Sequence, residues 1–175
     1  MTHQTPPPHS RAVRDAAPAK VGGGYPLVIL SHGYSGNRYL LSHLGENLAS
    51  KGFVAASIDH ADSTYDDLKS FASTLYHRPY DLLFVLNELD RLSRAGSGSL
   101  LGGPVDRSRT AIIGYSMGGC GLINVLGAGF TDASVTAQGA PPNRLLYERA
   151  ASNPAYPPKA DPRIKAAIAL ASWGW

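Results

Sequence analysis

The chain has 175 residues, 43% of them hydrophobic and 17% charged, with a formal net charge of +3, which suffices for one domain with a buried core. Its basic residues are scattered rather than clustered, so nucleic acid is not an expected partner. No apolar stretch reaches the roughly 18 residues of a membrane span, and the single cysteine excludes an internal disulfide.

The N-terminal segment over residues 1–24 is rich in Pro, Ala and Gly, including Pro6-Pro7-Pro8 and Gly22-Gly23-Gly24. This composition predicts a flexible tail ahead of a domain over residues 25–175. Prolines stand where a secretion signal has its apolar core, so we expect a cytoplasmic protein. A secreted protein trimmed of its leader would look the same, so secretion stays open.

Short apolar runs alternate with amphipathic stretches along the rest of the chain. The predicted strands cover residues 27–30, 53–58, 110–114 and 164–170. The predicted helices cover residues 39–50, 80–92 and 117–126, with Pro79 as the first residue of the second helix. We expect residues 61–78 to be irregular. Residues 128–162 predict a loop-rich insertion with one short helix near residues 145–151.

This alternation predicts the fold class α/β, with a mostly parallel sheet covered by helices on both faces. Binding groups in such sheets lie at the carboxyl ends of the strands. Those ends carry His32-Gly33-Tyr34, Asp59-His60, Ser116 and Ser172-Trp173. We therefore expect these residues to meet on one rim of the sheet.

The most informative motif is Gly114-Tyr115-Ser116-Met117-Gly118, between a predicted strand and a predicted helix. In that context Gly-x-Ser-x-Gly is typical of a nucleophile elbow, a sharp turn that exposes a serine hydroxyl. Gly114 and Gly118 are the elbow glycines, because a side chain at either position would collide in so tight a turn. The alternative is an ordinary glycine turn, since the pattern alone is weak in a glycine-rich chain.

The same turn predicts an oxyanion hole, which is a pair of N–H groups aimed at the oxygen that gains charge during acyl transfer. The Met117 N–H lies at the start of the helix and supplies one donor. The second donor normally follows an earlier strand. His32-Gly33-Tyr34 is in that place, so we assign the role to the Tyr34 N–H.

Four stretches carry a resemblance to a known family: LVILSHGYSG at 27–36, LGENLASKGFVAASIDH at 44–60, GYSMGG at 114–119 and DPRIKAAIALASW at 161–173. They resemble the α/β-hydrolase superfamily, in the branch of dienelactone hydrolases, cutinase-like polyester hydrolases and platelet-activating-factor acetylhydrolases. The resemblance implies a small-molecule ester substrate, an acyl-enzyme on Ser116 and no cofactor. It also implies that Trp173 and Tyr115 contact the substrate, although Trp173 could equally be plain core.

The catalytic triad is where the sequence departs from this family. The family order is Ser, then acid, then His, yet no histidine follows Ser116 and the last one is His77. The resemblance therefore implies an incomplete α/β-hydrolase fold with two bare sheet edges, open to another chain. Three accounts stay open: a split hydrolase completed by a second polypeptide or a homo-oligomer, an inactive fragment, and an enzyme with a local, non-standard base.

His32 and His60 are the candidates for a non-standard base. His32 ends the strand that should neighbour the Ser116 strand. His60 follows Asp59, but adjacent strand residues point to opposite faces, so the two make a poor acid–histidine pair. For both histidines the alternative is a side chain that orders a loop. No metal site is predicted, because the histidines lack ligand spacing and there is one cysteine.

The sequence thus predicts a serine hydrolase of carboxylic esters that acts through Ser116. A different class of function is a catalytically inactive remnant that binds a small acyl ligand, or a subunit that completes another chain. The natural ester, its acyl length and the oligomeric state are not set by the sequence.

Overall fold

The computed structural model describes residues 12–19, 22–156 and 158–174. Residues 1–11, 20 and 21, the larger part of the predicted tail, lie outside the described residues. Residues 12–19 are exposed and form neither helix nor strand. The domain boundary near residue 25 therefore stays a prediction.

A four-stranded parallel sheet forms the centre of the fold. Its strands are β1 (Tyr25–Ser31), β2 (Val54–Ser57), β3 (Val105–Tyr115) and β4 (Ile164–Leu170). Their order is β2-β1-β3-β4, and each neighbouring pair is parallel. The predicted α/β class and parallel sheet are confirmed, although β3 begins at Val105 rather than at residue 110.

Helices connect the strands. They are α1 (Ser42–Ala49), α2 (Phe71–Leu92), α3 (Met117–Val125) and the short α4 (Asp132–Thr136), followed by a 3₁₀ segment (Pro142–Arg149). Among the described residues, no helix is long and apolar enough to cross a membrane.

The two faces of the sheet bury alternate residues of the same strands, because successive side chains of a strand point to opposite sides. Leu27 and Ile29 of β1 pack on one face with Leu82 of α2 and Leu122 of α3. Val28 and Leu30 pack on the other face, where Leu44 and Leu48 of α1 cover them. Helices therefore cover both faces, as predicted.

Helix α2 corrects one expectation. We expected an irregular stretch up to residue 78 and a helix start at Pro79, yet the helix begins at Phe71 and contains Pro79. Ser70 caps it by accepting a hydrogen bond from the Ser73 N–H at 3.3 Å. The first two turns bury Leu75 against the core around Met117, so packing outweighs the helix bond that the proline cannot donate.

The segment over residues 128–162 is packed onto the body of the domain. Its beginning is tied to the end of the 3₁₀ segment, since the Phe130 N–H donates to the Arg149 carbonyl at 2.8 Å. Phe130, Val135 and Leu146 form a small core with Met117 at the start of α3. The segment therefore covers the end of the sheet that carries the predicted site.

Strand β4 is exposed. It pairs with β3, and no strand pairs with its other edge among the described residues. Ile168 is 50% exposed, and Leu170 is 39% exposed. An apolar edge of this kind is a template for pairing with another segment.

Candidate active site

Ser116 forms the turn between β3 and α3. The strand ends at Tyr115 and the helix begins at Met117, so one residue redirects the chain from sheet to helix. Its φ of 52° and ψ of −120° lie in a region that residues with a side chain rarely adopt. Such strain persists only when the surroundings hold the backbone. Here it presents a half-buried serine at the carboxyl edge of the sheet.

Four backbone hydrogen bonds hold this turn. The Ser116 N–H donates to the Leu170 carbonyl of β4 at 2.9 Å. The Ser116 carbonyl accepts from the N–H groups of Gly119 at 2.9 Å, Cys120 at 3.2 Å and Trp173 at 3.0 Å. The strained conformation is therefore fixed from α3 and from the end of β4 together.

The elbow glycines have no room for a side chain. A Cβ on Gly114 would overlap the carbonyl group of Gly118. A Cβ on Gly118 would overlap the Ser31 carbonyl oxygen and lie 2.7 Å from that of His32. Because these neighbours are backbone atoms, they cannot move aside as a flexible side chain could.

The loop after β1 lies against Ser116. A Cβ on Gly33 would stand 3.0 Å from the Cβ of Ser116. In the described part of the chain, the N–H groups of Tyr34 and Met117 donate to no other protein group. Two unengaged donors beside a strained serine are the arrangement that an oxyanion hole requires.

Aromatic rings line the approach to this turn. The rings of Tyr34 and Phe71 meet edge to face at 5.2 Å, and those of Phe71 and Trp173 at 5.6 Å. Tyr34 and Tyr115 are partly exposed, whereas Trp173 packs against the core that contains Met117. Trp173 is therefore both part of the packing and part of the wall beside the site.

His60 lies in a buried chain of hydrogen bonds. Its Nδ1 is 2.7 Å from Asp81 Oδ2, and its Nε2 is 2.8 Å from Ser31 Oγ. Because a carboxylate only accepts, Nδ1–H donates to Asp81, and Nε2 then accepts from the Ser31 hydroxyl. Both ring nitrogens of His60 are engaged.

His32 is engaged in the same way. Its Nδ1–H donates to the Gly33 carbonyl at 2.6 Å, and its Nε2 accepts from the His60 backbone N–H at 3.2 Å. Neither buried histidine therefore has a nitrogen left to take a proton from Ser116. This geometry favours the loop-ordering interpretation of His32 and His60 over the non-standard base.

Burial sets the charge of these groups. It lowers the pKa of His60 to about 4, although the carboxylate of Asp81 acts in the opposite direction. Burial also lowers the pKa of His32, against the opposing effect of its hydrogen bond to Gly33. Both imidazoles are neutral near pH 7. Burial raises the pKa of the Cys120 thiol, which favours its protonated form at that pH.

The acids that follow Ser116 are all engaged away from histidine. Asp132 accepts from the Ser152 hydroxyl at 2.5 Å, and Asp161 pairs with Arg163. Glu148 accepts from two tyrosine hydroxyls of α2. The described residues hold no group of three or more His, Cys, Asp or Glu that could bind a metal ion.

Three residues near the site escaped the sequence analysis: Phe71, Arg78 and Asp81. All three lie on α2, whose first turns we expected to be irregular. Arg78 is 1% exposed, and its guanidinium donates to the carbonyls of His32 and Gly33. The sequence contained a signal for Arg78, which stands three residues after Leu75 and four before Leu82. Helical spacing from two leucines indicates a buried arginine, and buried arginines are unusual.

Comparison with known proteins decides the family. The family model described as PET hydrolase-like matches residues 15–141, which include the loop after β1 and the Ser116 turn. The chain belongs to the PET hydrolase-like family. The resemblance to the α/β-hydrolase superfamily, in the branch of cutinases and platelet-activating-factor acetylhydrolases, is thereby confirmed.

This PET hydrolase-like chain is 30% identical over 147 residues to platelet-activating factor acetylhydrolase of Cavia porcellus, covering 63% of the chain and 34% of that protein. It is 34% identical over 101 residues to cutinase 2 of Thermobifida cellulosilytica, covering 58% and 34%. A ferulic acid esterase structure from Streptomyces cinnamoneus aligns with a TM-score of 0.48 at 34% identity, covering 61% of the chain and 33% of the esterase. The chain spans about a third of the length of these relatives.

Proposed function

We propose that this chain carries the nucleophile and the oxyanion hole of a serine hydrolase that acts on carboxylic esters. One observation carries the proposal: Ser116 adopts a strained elbow conformation beside the N–H groups of Tyr34 and Met117, which donate to no group in the described part of the chain. Membership of the PET hydrolase-like family supports it, as do relatives named cutinase and platelet-activating factor acetylhydrolase.

The proposed reaction proceeds through an acyl-enzyme. Ser116 Oγ attacks the ester carbonyl carbon while its proton passes to a base. The carbonyl oxygen becomes an oxyanion that accepts from the Tyr34 and Met117 N–H groups. The bond to the alcohol then breaks, and the base returns its proton to the departing alcohol. Water attacks the acyl group in a second round and frees Ser116.

The base and its acid are the parts that the buried histidines near Ser116 do not supply in the described part of the chain. Since both ring nitrogens of His32 and of His60 are engaged, we propose that a histidine and an acid come from outside these 175 residues. A second polypeptide is the proposed source. The substrate would lie along the ring of Tyr34, with Tyr115 and Trp173 as further contacts.

The test supplies the base artificially. The 175-residue chain is incubated with a p-nitrophenyl ester over a series of imidazole concentrations, beside Ser116→Ala and the control Ser172→Ala, which removes an exposed hydroxyl near the elbow. We expect imidazole to accelerate wild type and Ser172→Ala at least about tenfold more than Ser116→Ala. A fluorophosphonate adduct on Ser116, read by denaturing intact mass, should follow the same pattern.

The engaged histidines also favour a second candidate, a chain that binds an acyl ligand without turning it over. Equal imidazole-assisted rates in wild type and Ser116→Ala, with no adduct on Ser116, would exclude the hydrolase and leave this alternative. Rapid labelling of Ser116 by the isolated chain without imidazole would instead require a base within the 175 residues.

A further inference from the structure

Arg78 is a buried cation that is held by carbonyl and hydroxyl groups. It is 1% exposed on α2, and it forms no ion pair with any carboxylate in the described part of the chain. The nearby Asp81 is hydrogen-bonded to His60 instead. A buried charge is costly unless it is hydrogen-bonded, so the groups that Arg78 does contact explain its presence.

Those groups are backbone carbonyls of the loop beside the nucleophile. Nη1 donates to the His32 carbonyl at 2.6 Å, and Nη2 donates to the Gly33 carbonyl at 3.3 Å. Nη2 also donates to Ser63 Oγ at 2.5 Å. One guanidinium therefore holds two successive peptide groups of this loop.

The orientation of a carbonyl also sets the orientation of the next N–H. A trans peptide is planar, and its C=O and N–H point in opposite directions. Holding the Gly33 carbonyl toward Arg78 thus turns the Tyr34 N–H away from Arg78. The Gly33 carbonyl accepts from His32 Nδ1–H as well, so two donors on the interior side fix this one peptide.

We propose that Arg78 is a positioning residue of the oxyanion hole, which aims the Tyr34 N–H by binding the carbonyls of His32 and Gly33. This inference rests on the proposed function for its catalytic meaning. Its structural content, the direction of one N–H bond, can be judged without any turnover.

Nuclear magnetic resonance measures that direction. The 175-residue chain is labelled with ¹⁵N-tyrosine, the Tyr34 amide is assigned by its absence in Tyr34→Phe, and residual dipolar couplings are recorded for wild type and variants. In Arg78→Lys, which keeps the charge but loses the fork that spans two carbonyls, we expect the Tyr34 coupling to change. The couplings of Tyr25 and Tyr115, which lie in strands, should still fit the wild-type alignment.

Arg149→Lys is the matched control. Arg149 is also held by a backbone carbonyl, that of Asn124 at 3.4 Å, and its guanidinium lies over the rings of Tyr80 and Tyr156. It does not contact the loop of His32 and Gly33, so its replacement should leave the Tyr34 coupling unchanged. If Arg78→Lys does not fold, Ser63→Ala keeps Arg78, removes one of its acceptors and should shift the Tyr34 coupling less, in the same direction.

Turnover gives the second measurement. We expect Arg78→Lys to reduce the Ser116-dependent, imidazole-assisted kcat by about tenfold or more with little change in KM, because a misaimed donor weakens transition-state stabilisation. An unchanged Tyr34 coupling in folded Arg78→Lys overturns the inference, and so does an equal loss of kcat in Arg149→Lys. If wild type shows no Ser116-dependent rate, the proposed function fails while the couplings still decide the role of Arg78.

Discussion

The hydroxyl of Ser31 lies 2.8 Å from Nε2 of His60, so the chain contains a hydrogen-bonded serine–histidine pair that does not include Ser116. Asp81 completes a Ser–His–Asp sequence through Nδ1. Ser31 and His60 are both 0% exposed, so no ester can reach this serine. The arrangement instead joins β1, the loop after β2 and α2 just below the loop that contacts Ser116.

The neutral His60 predicts a loss of stability in mild acid. An unfolded histidine takes up a proton near pH 6.5, whereas folded His60 has a pKa of about 4. The unfolded state therefore binds more protons in this window, and the free energy of unfolding falls as the pH drops from about 7 to about 4. The shift corresponds to roughly 3 kcal/mol for His60 alone. Urea unfolding at several pH values measures it.

The variant His60→Gln separates this effect from general acid sensitivity. His60 is surrounded by Asp81, Arg78 and His32, and the pKa of His32 is also lowered, so the pH dependence should weaken without vanishing. His43→Gln replaces an exposed histidine of α1. It should leave the change of the free energy of unfolding with pH as in wild type. If the free energy of unfolding of His60→Gln fell with decreasing pH as steeply as that of wild type, His60 would not be the titrating group.

The elbow predicts strong intolerance at Gly118. In Gly118→Ala the new methyl group would overlap the carbonyl oxygens of Ser31 and His32, and we expect a cost of about 3 kcal/mol or more. Gly45→Ala is the control. Gly45 lies inside α1, and a Cβ there would stand 3.4 Å from the Leu30 side chain, which is an ordinary contact. Alanine there should stabilise by up to about 1 kcal/mol. Thermal unfolding of both variants checks the contrast in sign.

Phe71 predicts an effect on Trp173. Edge-to-face ring pairs contribute about 0.5–1.5 kcal/mol each, and Phe71 makes one such pair with Tyr34 and one with Trp173. In a Trp175→Phe background, where Trp173 is the sole tryptophan, Phe71→Ala should shift the selectively excited tryptophan emission to longer wavelength. Phe84→Ala removes a largely exposed ring from the same helix and should leave the spectrum unchanged. An identical spectrum in both variants would mean that Phe71 does not set the environment of Trp173.

The exposed edge strand predicts self-association. Ile168→Lys places a charge on β4, and charges at sheet edges oppose strand pairing. We expect sedimentation velocity to show less oligomer or aggregate than in wild type. Leu100→Lys removes a similarly exposed apolar side chain from a loop, so a comparable reduction there would point to general hydrophobicity rather than to the edge.

The strands and the elbow were predictable because their signals are local. An uninterrupted apolar run such as Leu27–Leu30 has few alternatives to a buried strand, and the glycines around Ser116 encode a turn that only small residues permit. The expectation that the strand before His32 neighbours the Ser116 strand is confirmed, since β1 pairs with β3.

The buried hydrogen bonds of Arg78 and His60 were not predictable, because their partners are far apart in sequence. Arg78 reaches carbonyls 45 and 46 residues away, and His60 pairs with Asp81, 21 residues later, rather than with its neighbour Asp59. We expected Pro79 to be the first residue of α2, a position that proline favours, yet tertiary packing extends the helix to Phe71 and places the proline inside it.

The hydrogen bonds between Ser116 and the end of β4 couple this serine to the rim of the sheet. The Leu170 carbonyl accepts from the Ser116 N–H, and the Trp173 N–H donates to the Ser116 carbonyl. Among the described residues no strand pairs with the other edge of β4, so a segment that paired there would contact the strand that holds Ser116. Pairing of another segment with this edge would therefore act on the same backbone hydrogen bonds that fix the conformation of Ser116.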